Sequence, residues 1–197
     1  MEDVARASPI ELIEYLHANL DAHFTELAAR RRNLEPPAPV FALEHGLSAN
    51  DRELLTKAVG DAHRLGVMPA ASRNSWLPFV VHAAEVGYIY DGVEYWPIYA
   101  SKTPRWADSD YERDRVRNWF VKFSQQYGGA IPQGAWARTF RKIAWPITHA
   151  VLPRYLQVQL ARMLSDYRTS WPSLLDDPAV LGTRLHAWSR YYSDRLE

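Results

Sequence analysis

The sequence predicts an all-α fold, a compact bundle of about seven helices with at most one short β-hairpin near residues 88–96. Three observations carry this. Apolar residues recur at three- and four-residue spacing along most of the chain, which places them on one face of a helix. Segments marked in this way open on Ser, Asp or Pro and close on Gly or Pro, the residues that start and stop helices. Only Tyr88–Trp96 carries a turn dipeptide, Asp91-Gly92, between aromatic and β-branched residues.

The elements follow in order. Ser8-Pro9-Ile10-Glu11 reads as a capping box with proline in the first turn. Ile10, Ile13, Leu16, Leu20, Phe24 and Leu27 then mark the inner face, and Arg30–Arg32 fall in the last turn, where positive charge suits the helix dipole. Glu35–Pro39 is an extended connector. A second helix runs from Ser48 to Gly66 with Leu54, Leu55, Ala58, Ala62 and Leu65 inward, and Met68 to Asn74 is a loop. Ser75 is the expected cap of a third helix reaching Tyr88. It is apolar on most sides and is therefore central. Tyr88–Trp96 then leans to a hairpin, against the alternative that Asp91 and Glu94 start a new helix that Pro97 soon cuts.

Asp108 or Ser109 opens a helix to Tyr127, which Gly128-Gly129 ends. A short helix over 133–144 would put Trp136, Phe140 and Ile143 on one face. Pro146 and Pro153 bias Trp145 and Leu152 away from helical geometry, so 147–151 reads as a stiff connector or a single turn. Pro153 opens a helix with Leu156, Leu160, Met163 or Leu164, and Tyr167 inward. A last helix starts at Asp177-Pro178. Residues 1–39 form a helix and its connector, 40–197 the helical core, together expected to be one globule.

Composition narrows the function. Apolar residues make up 47% and eight residues are Trp, too rich for a disordered chain. There is no cysteine, which removes disulfides and thiolate metal sites. Glu2, Asp3, Glu11 and Glu14 break up any secretory apolar region, and no apolar run reaches a membrane span. The expected location is the cytoplasm, with no membrane partner.

The formal net charge of zero conceals a split. Residues 1–100 hold 8 Lys/Arg against 14 Asp/Glu, and 101–197 hold 15 against 9. No acid occurs between Asp114 and Asp166, a stretch that contains Arg115, Arg117, Lys122, Arg138, Arg141, Lys142, Arg154 and Arg162. Were these on one face they would attract nucleic acid or an acidic protein partner. Arg138, Arg141 and Lys142, at i, i+3 and i+4, are expected to project together, opposite Trp136, Phe140 and Ile143. The opposing reading pairs these cations with acids of the first half such as Glu11, Glu14, Glu26 and Asp61.

Catalytic signatures are missing. The chain holds no HExxH, no GxSxG and no phosphate-binding glycine loop. His149 could act as a base, yet the nearest acid in the chain, Asp166, is 17 residues away; a hydrogen bond from its ring to a carbonyl freed at a helix end is the expected role. His82-x-x-Glu85 puts two metal-ligand types on one helical face, but carboxylate-bridged sites assemble several such pairs, written Glu-x-x-His. A satisfied buried pair is expected instead, with no metal and no cofactor.

Two stretches, WLPFVVHAAEVGYIYDGVEYWPIY followed by TPRW, and FSQQYGGAIPQGAWARTFRKIAWPITHAVLPRYLQVQLARML, resemble the amino-terminal region of large uncharacterised bacterial proteins from variable, defence-type genomic islands. The similarity covers about residues 40–195, with AWPITHAVLPRYLQ its most specific part. It implies no catalytic residues. Such proteins continue for many hundreds of residues, so it implies downstream domains as partners, and the terminal Leu-Glu reads as a fragment boundary. The expected function is a non-catalytic recognition or docking module of a larger, antiphage assembly. The competing classes are a small enzyme using His149 or His82/Glu85, and a structural domain that packs on further chain.

Overall fold

The computed structural model describes residues 7–35, 37–66, 74–150, 158, 160–162, 164 and 165. Among them lie seven bounded α-helices: α1 Pro9–Arg32, α2 Ala49–Leu65, α3 Leu77–Ile89, α4 Tyr95–Lys102, α5 Asp110–Tyr127, α6 Ala135–Thr139 and α7 Ala144–His149, with a 3-10 turn at Ala42–Glu44. No strand forms among these residues; the one β contact is a parallel bridge from Val40 to Gly129, which ties the connector after α1 to the end of α5. The all-α expectation holds.

Caps form largely where the sequence marks them. Ser8 and Glu11 close a reciprocal capping box, Ser48 and Asp51 a second, and Ser109 accepts from the Glu112 amide. Gly66 and Gly128 end α2 and α5 at φ of 67° and 68°, left-handed values that favour glycine. The α3 start differs from expectation. Its N-cap is Trp76, with no side-chain cap bond, and the Leu77 amide instead donates to His17 Nδ1 of α1 at 3.3 Å.

The central helix is α3, buried from Leu77 to Ala84 and packed against α1, α2, α4, α5, α7 and the 3-10 turn. Leu12, Ile13, Leu16, Leu20 and Phe24 of α1 and Leu55, Ala58, Val59 and Ala62 of α2 share its core with Val116, Phe120 and Phe123 of α5. Thus α1 contributes to this core. Ile10 and Leu65, expected inward, are 41% and 52% exposed: both sit at helix ends, beyond the turns that neighbouring helices cover.

Further sequence expectations are corrected. The 88–96 segment is not a hairpin: α3 runs through Ile89, Asp91 closes a short turn by accepting from the Val93 amide at 3.0 Å, and α4 begins at Tyr95. Pro97 is tolerated because it occupies the first helical turn, where an amide has no intrahelical partner. Pro146 is accommodated likewise in the first turn of α7, so 144–149 forms a short helix, nearer the single-turn alternative than the stiff connector. The expected helix over 133–144 breaks after Thr139 into a turn, and Phe140, expected in the core, is 37% exposed. Leu160 and Leu164 are helical; the expected loop at 68–73, the inward residues Leu156, Met163 and Tyr167, and the last helix lie outside the described residues. Among the described residues no helix is long and apolar enough to cross a membrane.

Candidate binding groove

His149 is fully buried among Phe120, Phe123 and Trp145. Its Nδ1 accepts the Ala42 amide at 3.2 Å, so the neutral ring carries its proton on Nε2. That side faces the Ser124 hydroxyl at 3.4 Å and the Ala130 carbonyl, which also accepts from Ser124 at 3.1 Å. A Ser–His pair therefore exists, but the ring has no lone pair left for the hydroxyl proton. Burial pushes the ring down to about 3, against the opposing hydrogen bond to Ala130. His149 locks the end of α5, the 3-10 turn and α7 together.

His82 and Glu85 share a helix but not a site. His82 is buried and bonds Thr103 at 2.9 Å; burial first, then the neighbouring His63, pushes it down to about 4. Glu85 accepts from His45 Nε2 at 2.8 Å and has Arg52 at 3.8 Å. Burial would raise the Glu85 carboxyl, but the His45 bond and the charges of His45, Arg52 and His82 outweigh it and hold the group below its usual range. His45 Nδ1 accepts the Leu47 amide at 3.0 Å, which keeps the Nε2 proton in place and leaves that nitrogen no lone pair for a metal. Among the described residues no group of three or more His, Asp or Glu comes together in metal-binding geometry.

The cations of the acid-free stretch divide. Arg115 pairs with Glu112 at 3.1 Å, both largely covered, and lies 5.0 Å from the Tyr111 ring centroid. Lys122 stands 4.8 Å from the Trp76 ring centroid. Lys142 is held by Asp110 at 2.8 Å and Asp114 at 3.4 Å; the Asp110 hydrogen bond, foremost, raises it above its ordinary value. At 3.6 residues per turn, Arg115 and Lys122 lie about 100° around α5 from Asp110 and Asp114, so these two cations turn away from Lys142. Arg162 is exposed and Arg154 lies outside the described residues. The expected pairing with Glu11, Glu14, Glu26 or Asp61 is not what holds them: Glu26 and Asp61 pair with Arg30 and Arg64, while the acids that engage Arg115 and Lys142 come from the first turns of α5.

Arg138 and Arg141 remain. Both are exposed, and no acid pairs with them among the described residues. They do not stand on one helix as the i, i+3 spacing suggests: Arg138 is in α6 and Arg141 in the turn after it. With Phe140 and Lys142 they form one wall of an open groove of about 700 Å³ whose other wall is Val93, Glu94 and Pro97 at the start of α4. Its base is a charge-and-ring ladder. Asp108 takes two hydrogen bonds from Arg113, at 2.6 and 2.7 Å; Arg113 lies 5.4 Å from the Trp96 ring centroid; and Trp96 stacks on Trp106 at 5.5 Å. Sequence reasoning missed Glu94, Trp96, Asp108 and Arg113. The Asp108–Arg113 spacing is local, but nothing in the chain brings α4 opposite α6.

Comparison with protein-family models, with curated proteins and with solved structures finds no match for this chain.

Proposed function

We propose that this chain is a non-catalytic recognition module that docks an acidic segment of a partner protein in the groove between α4 and the α6–α7 turn. One observation carries this reading. Arg138 and Arg141, exposed and without an acid partner among the described residues, flank Phe140, an aromatic ring that is 37% exposed. Arginine and aromatic side chains are both enriched at protein interfaces relative to the rest of the surface. A phosphodiester chain fits less well. It needs a continuous positive track, and Asp108, Asp110, Glu112 and Asp114 interrupt the one the sequence promises. In this reading the module works in the cytoplasm as part of a larger bacterial protein, in keeping with the sequence resemblance.

The test is fluorescence anisotropy with three labelled probes: a peptide rich in Asp, Glu and Leu, a DNA duplex and a DNA single strand, each at low and moderate salt. The expected result is peptide binding that Arg138→Glu/Arg141→Glu abolishes while thermal stability is unchanged. Binding of either DNA with a steep salt dependence and no binding of the peptide would replace the protein partner with nucleic acid. Peptide binding that survives the double charge reversal would remove the groove.

A further inference from the structure

The groove is not uniformly basic. Of the charged residues that line it, Asp108 and Arg113 neutralise each other through two hydrogen bonds, and Lys142 is neutralised by Asp110 and Asp114. The uncompensated charges are Arg138 and Arg141 on one wall and Glu94 on the other. Glu94 is exposed and makes no ion pair among the described residues. It occupies the N-cap of α4, yet its side chain bonds no amide there. Ser, Thr, Asp and Asn are the residues that cap well, so a longer acid that does not cap is free to face the groove.

We infer that Glu94 sets the charge pattern the groove accepts: a mixed-charge peptide segment, with a carboxylate against Arg138 and Arg141 and a cation across from it against Glu94. The inference rests on the reading of the groove as a protein-docking site. A polyanion would satisfy the arginine wall while being repelled by the acidic one. Like charge set opposite a ligand is how a binding surface rejects the wrong partner. Phe140 and Val93, 37% and 78% exposed, stand on opposite walls and offer the segment apolar contact between its two charges. Glu94 thereby acts as a selectivity residue; the arginines supply the attraction.

Two labelled peptides of equal length test this, one that carries Asp and Lys alternately among leucines and one that carries Asp alone, with the DNA single strand as a third probe. The wild-type protein is expected to favour the mixed peptide. Glu94→Gln is expected to erase that preference by tightening the all-acidic peptide about two- to fivefold, the range one solvent-screened charge contact spans. Glu94→Lys is expected to go further and admit the single strand at low salt. Arg138→Ala/Arg141→Ala should weaken both peptides together. An unchanged ratio of the two peptides in Glu94→Gln, with both still dependent on the arginines, overturns the selectivity inference and leaves the docking site standing. If neither peptide binds, or the arginine variant binds them as the wild type does, the docking reading falls and the inference falls with it. Because Glu94 is exposed and bonds no amide, its variants should keep the wild-type melting temperature, and that measurement accompanies each titration.

Discussion

At the scale of single residues, His149 shows how a histidine that resembles a catalytic base is committed elsewhere. Its acceptor nitrogen receives the Ala42 amide, and its donor side faces Ser124 and the Ala130 carbonyl. Removing the ring would leave a cavity among Phe120, Phe123 and Trp145 and would orphan a buried amide. Cavity formation on truncating an aromatic costs about 3–5 kcal/mol, and an unsatisfied buried donor adds about 1–3 kcal/mol. His149→Ala is therefore expected to destabilise the fold by about 4 kcal/mol, allowing for partial collapse. His149→Phe, which keeps an aromatic ring in the cavity but loses both the acceptor and the donor nitrogen, should cost less. Urea denaturation midpoints decide it: equal midpoints for the wild type and His149→Ala would remove the ring as the joint between α5, α7 and the 3-10 turn.

At the scale of elements, the approach of α3 to α7 depends on the absence of a side chain. A Cβ on Gly87 would meet the Pro146 carbonyl oxygen at 2.7 Å and the Ala150 Cβ at 3.2 Å. Alanine in a helix interior ordinarily gains about 1 kcal/mol over glycine. Here the obstructing atom is backbone, held in α7, so the helix would have to shift, and overpacking of this kind costs about 1–3 kcal/mol. The clash wins. Gly87→Ala is expected to lower the melting temperature, whereas Gly128→Ala would strain only its left-handed cap. A Gly87→Ala protein more stable than the wild type would show that α7 moves away freely. The same contact explains the fate of Pro146: its carbonyl lies against Gly87 and accepts the Ala150 amide at 3.0 Å, while its missing amide falls in the turn where none is needed.

At the scale of the whole molecule, three histidines, His82 and His149 buried and His63 half-buried, couple the fold to pH. Burial, with Arg115 assisting, pushes His63 down to about 4; burial, with His63 assisting, takes His82 to about 4; burial takes His149 to about 3. In the unfolded chain each titrates near 6.5. Between pH 6.5 and about 4 the unfolded chain binds protons that the folded chain does not, so folding stability is full above 6.5 and falls as the solution is acidified. Each such proton contributes about 1.4 kcal/mol per pH unit at most. The melting temperature should drop steeply between about pH 6.5 and 4.5, and His149→Phe should flatten part of that slope. A melting temperature constant over this range would mean that the rings protonate in the folded state.

What the sequence determined by itself was whatever depends on bonds within about four residues. The boxes at Ser8 and Ser48, the Ser109 cap and the glycine stops at 66 and 128 follow from local hydrogen bonding, and the apolar periods of α1, α2 and α5 follow from helical geometry. Together these make the all-α class and the central place of α3 legible in the chain of residues alone. The choice between hairpin and helix at 88–97 was not legible, because Asp91-Gly92 suits either and the packing of Tyr95, Trp96 and Tyr99 into the core decided it. Nor was the fate of the charges. Lys142 finds Asp110 across 32 residues, and His149 finds Ala42 across 107. Tertiary structure alone decided that Arg138 and Arg141 stay free of acids among the described residues and that Glu94 stands across the groove from them, because charges far apart in the chain meet only where packed helices carry them.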